Sequence, residues 1–476
     1  MARRAVEAAL AGGADYADAR VVVLRHQSLS ARNGDLDSLV DSEQAGLGIR
    51  ALHGSSWGFY AVAELGNAAA RRAGERAAEI ARASAMVSGP KMPLADVPVV
   101  TDRYETPHQE DPFSISTGEK ADLVVGVTDL LRETEGVALA RAGVTFWDTE
   151  KWFVSSQGHE IFQHLVESGC GMSAMAVGED ETQIRSYPQS FGQFETGGYE
   201  VVRRWDMPSA APRIAEEAVA LLRADPCPSG EMDLILEGSQ LALQIHESVG
   251  HAIELDRILG WEAAFAGTSF LELPNLGSFR YGSDLMNVTA DATLPGALGT
   301  FGYDDEGTPA QRVDIVREGV WVGVLSGRDS AALAGVNPGG MVRADGYNRL
   351  PMVRMTNVGL LPGSGSLEEI IADTRRGVLM STNRSWSIDD KRLNFQFGCE
   401  IAWEIVDGRK GRMLKNPTYT GITPRFWASL DRVAGEEEWV HWGTPNCGKG
   451  QPMQVAHTGH SAAPARFRNV RVGVRA

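Results

Sequence analysis

Residues 246–251 read His246-Glu247-Ser248-Val249-Gly250-His251, two imidazoles and a carboxylate within six positions. Two neutral imidazoles can hold a zinc-like cation, and a neighbouring carboxylate can take a proton from water. Together they suit metal-assisted hydrolysis. The commoner spacing, His-Glu-x-x-His, sets both rings on one helix face at i and i+4. Here the spacing is i and i+5. On a regular helix five residues advance about 500°, which leaves the rings roughly 140° apart. A shared metal therefore predicts a π-type widening, or a helix end, at Ser248–Gly250. Gly250 has no Cβ and permits such a break.

A third ligand is needed, with one position left open. Cys447, Glu254, Asp256 and a distant histidine are candidates. Cys447 stands in Pro445-Asn446-Cys447-Gly448-Lys449-Gly450-Gln451, where glycines allow close backbone approach and Lys449 would favour thiolate. The bland reading of a lone cysteine is a small buried hydrophobe. That reading suits Cys399, Cys170 and Cys227 better than a cysteine in a Gly-rich polar loop. His159-Glu160-Ile161-Phe162-Gln163-His164 repeats the same spelling. It lies in a strand-patterned stretch, where positions five apart point to opposite faces, and it reads as a decoy.

The element that must position the first motif is a helix over 238–253. Ser239 is its expected N-cap, and Leu241, Ile245, Val249 and Ala252 form its apolar stripe. Upstream, short helices are expected at Arg4–Leu10, Ala68–Ala85, Lys120–Arg132 and Pro212–Arg223, and strands at Asp18–Leu24 and Gly46–Leu52. Pro90, Pro93 and Pro98 mark a linker-like stretch. Alternation from Val137 to Tyr187 predicts further strands, with a turn at Asp148-Thr149. Asp225-Pro226-Cys227-Pro228-Ser229-Gly230 is the strongest punctuation. It divides the chain into 1–228 and 229–476. Downstream, Val313 to Val324 reads as a hairpin turning at Glu318-Gly319. Asn394 to Val406 is a clear strand ending at Asp407-Gly408. The class is α+β: a mixed N-terminal α/β domain, then a mainly antiparallel β domain carrying the metal-site helix.

Lys and Arg number 45 against 62 Asp and Glu, a formal charge of −17. That balance argues against nucleic-acid binding and against docking on an anionic membrane. No apolar run approaches a membrane span, and the first residues lack a signal-peptide core. Four cysteines are too few for a disulfide framework, so a cytoplasmic location is expected.

The same residues, with His246 to His251 continuing into Ala252-Ile253-Glu254-Leu255-Asp256, resemble the metal helix of the TldD branch of the TldD/PmbA peptidase family. The likeness extends to Ala14-Asp15-Tyr16-Ala17-Asp18-Ala19-Arg20, Gly302-Tyr303-Asp304-Asp305-Glu306-Gly307 and Arg354-Met355-Thr356-Asn357. It continues in Leu393 to Glu400 and in Cys447-Gly448-Lys449-Gly450-Gln451-Pro452, so it covers essentially the whole chain in order. The resemblance implies one Zn2+ per active subunit, held by His246, His251 and Cys447, with Glu247 as general base. It implies peptides or unfolded proteins as substrates. It also implies a dimer, formed with a motif-lacking paralogue or with itself. Three rival readings stand beside it. One is a thiol hydrolase with Cys447 as nucleophile and His457 or His460 as base. Another is a non-catalytic, substrate-holding subunit. The third is a metal-dependent amidase acting on a small molecule.

Overall fold

Long strands build the first half, where the sequence pattern marks only short ones. Tyr16–Arg32 and Asp35–His53 form one hairpin of 17 and 19 residues. Residues 35–44 are exposed, so neither face must be apolar, and Leu36, Leu39 and Val40 fall without the alternation that reveals the inner part. Val137–Ser155 runs unbroken through Asp148 and Thr149, which pair with Val166 and Leu165. The expected turn there is absent because cross-strand pairing on both sides outweighs local turn propensity. The structure, a computed structural model, describes residues 1–87, 89 and 91–473. Pro93 and Pro98 lie in a stretch without helix or strand, and Pro90 lies outside the described residues.

The first sheet has the order Ser56–Val62, Asp35–His53, Tyr16–Arg32, Val137–Ser155, Glu160–Val177, Thr101–Glu105. Thr182–Tyr187 and Gln193–Thr196 also pair with Glu160–Val177. Helices Thr117–Arg132 and Met207–Leu221 press Val124, Leu131, Ile214 and Ala218 onto Phe146 and Met172. Helices Ala2–Ala11 and Asn67–Ala85 lay alanines against Ala17, Ala19, Ile49 and Ala51. Small side chains there let helix and sheet approach closely. Asp18, Arg20 and Lys151 are turned toward the second half of the chain. Lys151 holds Asp305 at 2.6 Å, and Arg50 bridges Asp18 at 2.7 Å and Glu306 at 3.1 Å. The Gly302–Gly307 block is thus part of a buried ionic seam between the two sheets.

The second sheet closes on itself. Arg376–Ile388, Gly230–Leu236, Ala465–Val472, Thr418–Ile422 and Asn394–Val406 follow one another, and the last pairs back with the first. All these pairings are antiparallel except Gly230–Leu236 with Arg376–Ile388. The strand expected at Asn394–Val406 spans those residues, and Asp407 and Gly408 make its turn at φ 46 and 75. Glu318 and Gly319 turn in the same way, at φ 46 and 76. Asp225–Pro226, within the Pro-rich punctuation, already pairs with Arg409–Lys415. Phe395, Phe397, Tyr419, Phe426 and Phe467 pack as interlocking rings in the core. This is the α+β arrangement: a mixed first half, and a mainly antiparallel, barrel-like second half that carries the motif helix. Among the described residues, no helix is long and apolar enough to cross a membrane.

Candidate metal centre

The motif helix begins at Gly238 with Glu237 at its N-cap, and no side chain caps it. Ser239 is therefore the second helical residue and not the cap. The apolar stripe is as expected, since Leu241, Ile245, Val249 and Ala252 are all buried. Regular α geometry stops at Ile245, and His246–Gly250 form a π turn. His251 N donates to His246 O at 3.1 Å, the i to i+5 bond of a widened helix. That turn brings the rings together, with centroids 4.8 Å apart at 87°, in place of the 140° splay of a regular helix. The Ser248 carbonyl accepts from Tyr281 Oη at 2.5 Å, so the disrupted ladder leaves it satisfied. Packing around Gly250 is tight. A Cβ there would lie 2.1 Å from Met355 Sδ, which fills the space beside the π turn.

Cys447 approaches from the hairpin of Val440–Lys449 and Gln454–Ala462, next to a register break between Thr444 and Cys447. The Gly-rich segment is thus a bulged strand, not the loop its composition suggests. Cys447 Sγ lies 3.8 Å from His251 Nε2, and the ligand atoms of His246, His251 and Cys447 all fall within 4.8 Å of one another. Arg354 donates to the Cys447 carbonyl and, at 3.1 Å, to that of Gln454, which ties the hairpin down.

The other third-ligand candidates stand behind the three. Glu254 Oε2 accepts from His251 Nδ1 at 2.9 Å and from Arg257 Nε at 2.7 Å. Asp256 takes Lys449 Nζ at 2.7 Å, and Lys449 lies 3.2 Å from Glu254 Oε1. Lys449 therefore serves the carboxylates and not the thiol. Burial pushes the Cys447 thiol up, but His251 and Arg354 outweigh it and hold it below the ordinary value. Burial likewise favours a raised Glu254, yet Lys449 and His251 keep it well below the carboxylate range.

His460, weighed from sequence only as a possible base for Cys447, instead supports His246. Its Nδ1 faces the Val358 carbonyl at 3.0 Å and its Nε2 faces His246 Nδ1 at 2.7 Å. A carbonyl only accepts, so His460 Nδ1 carries the proton and its Nε2 accepts from His246 Nδ1. The Nε2 lone pair of His246 is then free. Glu254 sets the same tautomer in His251. Burial pushes all three imidazoles down, His251 to about 4, so each is neutral at neutral pH. Two oriented imidazoles and a thiol disposed to ionise fit a tetrahedral zinc site with an open position.

Glu247 is 6% exposed beside these groups, and Arg392 Nη1 donates to its Oε2 at 2.7 Å. Arg392 was missed, since nothing near it in sequence points to residue 247. The remaining histidines are engaged elsewhere. His441 bonds Ser461 Oγ at 2.7 Å and His457 pairs with Glu167 at 2.9 Å. The decoy separates as expected. His159 precedes the strand Glu160–Val177 and bonds Ser155 Oγ at 2.8 Å, whereas His164 bonds Asp148 at 2.9 Å.

A family model described as the PmbA/TldA metallopeptidase C-terminal domain matches residues 229–473, and one for domain 1 of that group matches residues 17–81. A metalloprotease of Methanothermobacter thermautotrophicus is 30% identical over 460 residues, covering 96% of this chain and 95% of the relative. One from Methanocaldococcus jannaschii is 27% identical, covering 94% and 95%. Crystal structures share the fold. TldE from Thermococcus kodakarensis superposes with a TM-score of 0.72 at 18% identity, covering 99% of each chain. A Thermotoga maritima protein described as a modulator of DNA gyrase gives 0.77 at 18% identity, also covering 99% of each.

Proposed function

This chain belongs to the TldD/PmbA metallopeptidase family, and from that premise we propose that it is a zinc-dependent peptidase acting on peptides and unfolded or flexible polypeptides. The observation that carries the reading is the convergence of His246, His251 and Cys447 within 4.8 Å, with Glu247 beside them. His246 and His251 would hold the cation through Nε2, and Cys447 through its thiolate. When bound, that cation supplies Lewis acidity for the hydrolysis of a carbonyl. Glu247 takes the proton of the attacking water and delivers it to the leaving amine. His460 and Glu254 hold the two imidazoles in the tautomer that keeps Nε2 free. The hairpin of Val440–Lys449 and Gln454–Ala462, which carries Cys447 and forms a two-stranded sheet apart from the closed one, supports binding of an extended substrate by strand addition, which is tolerant of sequence. On this reading a folded form of a good substrate resists cleavage, and equal rates on folded and unfolded forms count against strand capture.

We further propose that the active form is a dimer, made with a motif-lacking paralogue or with itself. Light scattering of the purified chain, alone and with such a paralogue, tests this. The central experiment pairs metal analysis with Glu247→Gln. The variant should keep the bound metal and lose turnover, and full activity in it would refute the general-base role. A thiol hydrolase would survive 1,10-phenanthroline and fail with iodoacetamide. The geometry favours the metal reading, because the imidazole at the Cys447 sulfur is His251, while His460 is bonded to His246 and His457 to Glu167.

A further inference from the structure

The turn between Arg376–Ile388 and Asn394–Val406 reaches back over the motif helix and delivers one side chain to Glu247. Arg392 takes φ 64, the left-handed region that an ordinary side chain occupies at a cost of about 1–2 kcal/mol. The surrounding bonds hold it there. Asp389 accepts from Leu393 N at 2.8 Å and from Asn394 Nδ2 at 2.6 Å, and Thr423 Oγ1 donates to the Arg392 carbonyl at 2.7 Å. A second loop braces the first. Thr268 N donates to Asp390 O at 3.0 Å and Phe270 N to Lys391 O at 2.9 Å. The backbone is thus fixed in an unfavourable conformation whose result is the aim of one guanidinium.

That guanidinium is underused. Its side chain is only 15% exposed, yet of its five N–H donors only Nη1 makes a short bond, to Glu247. Nη2 meets the Ala266 carbonyl at 3.5 Å, and Nε has no acceptor. Leaving buried donors without acceptors costs about 1–3 kcal/mol each. Nε is enclosed, but an acceptor arriving at the Nη groups would improve on the long Ala266 contact. Beside a general base, the acceptor that the reaction itself brings is the oxygen of the scissile carbonyl, which gains negative charge as water attacks.

We infer that Arg392 orients the Glu247 carboxylate through Nη1 and donates a hydrogen bond from its remaining Nη N–H groups to the carbonyl oxygen of the peptide bond under attack. The inference rests on the peptidase reading above. No covalent bond to Arg392 forms or breaks, and its protons stay in place. The opportunity is greatest where charge develops, so the effect belongs in kcat more than in KM.

The test compares Arg392→Ala and Arg392→Lys with wild type, all zinc-loaded, on an unfolded polypeptide. Arg392→Ala should lower kcat by about 100- to 1,000-fold with KM within about threefold, at wild-type zinc content. Arg392→Lys should fall between, and millimolar guanidinium chloride should restore part of the alanine variant's rate. A readout without turnover accompanies these. Affinity for a phosphinic peptide, which mimics the tetrahedral state, should drop with Arg392→Ala. Affinity for the substrate peptide, measured in a Glu247→Gln background, should not. A merely structural arginine would lower melting temperature and zinc content in both variants and gain nothing from guanidinium. That result, or a kcat/KM within threefold of wild type, overturns the inference. A wild type that cleaves no polypeptide defeats the peptidase reading instead. A wild type and an Arg392→Ala variant that cleave equally well remove only the role of Arg392.

Discussion

Replacing His460 with leucine removes a side chain that touches neither sulfur nor carboxylate, yet it should loosen the metal. In the structure His460 passes a hydrogen-bond chain from the Val358 carbonyl to His246, with links of 3.0 and 2.7 Å. Leucine has no acceptor, so His246 Nδ1 loses the bond that fixes its tautomer and its ring orientation. Loss of such a supporting partner typically weakens metal affinity about 10- to 100-fold, or about 1.4–2.7 kcal/mol. Glutamine separates this effect from packing. Its Oε1 can accept from His246 Nδ1 while its Nε2 donates to Val358, so His460→Gln should bind zinc close to wild type. The assay is competition for zinc against a chromophoric chelator at neutral pH, with His441→Leu as a control outside the chain of bonds. An affinity for His460→Leu within twofold of wild type refutes the reasoning. Equal losses in the leucine and glutamine variants also refute it, because they would assign the effect to volume and not to the hydrogen bond.

Three further outcomes are expected. Cys447→Ser should lose zinc on dialysis while keeping a cooperative unfolding transition, as read by atomic absorption beside circular dichroism. Gly250→Ala drives a methyl group into Met355 Sδ, and overpacking of this kind costs about 1–3 kcal/mol, visible as a lower melting temperature. In the metal-free protein the contribution of His251 to stability should shrink as pH falls. His251 is held to about 4 by burial and titrates near 6.5 when unfolded, so between these values the unfolded chain binds more protons. This group's contribution is complete above pH 6.5, shrinks as pH falls toward 4, and amounts to about 3 kcal/mol. Denaturant titrations of chelated wild type and His251→Gln across that range measure it as a difference, because the buried carboxyls of Asp304, Glu306 and Asp256, pushed up by burial to about 6, 7 and 6, act with the opposite sign. A difference that does not change with pH would contradict a buried neutral His251.

The chemistry of the site was legible in the sequence to an unusual depth because its parts are local. His246, Glu247 and His251 lie on one helix, and for a shared metal their i, i+5 spacing called for a π-type widening or a helix end, of which the structure contains the first. Asn394–Val406 and the turn at Asp407-Gly408 were legible because apolar side chains occupy every second position from Phe395 to Ile405, although both faces are buried over residues 397–402. Where both faces are exposed, as over residues 35–44, alternation vanishes and the hairpin was read far too short. Composition also misled at Cys447, whose glycines suggested a loop although cross-strand pairing makes the segment a strand.

What the sequence by itself determined is the pair of imidazoles and the carboxylate of one helix, because their spacing fixes how that helix must bend for the rings to meet. The convergence of that helix with a cysteine almost two hundred residues away was decided only by the closed second sheet and its hairpin. The partners that prepare the site were decided there too. His460 arrives on the hairpin, Arg392 on a turn between barrel strands, and Met355 against Gly250. Hydrogen bonds and close packing act over a few ångströms of space, whatever the distance along the chain. Groups that tune a ligand from another element therefore leave no periodic trace near it, and become visible only once the backbone has brought them together.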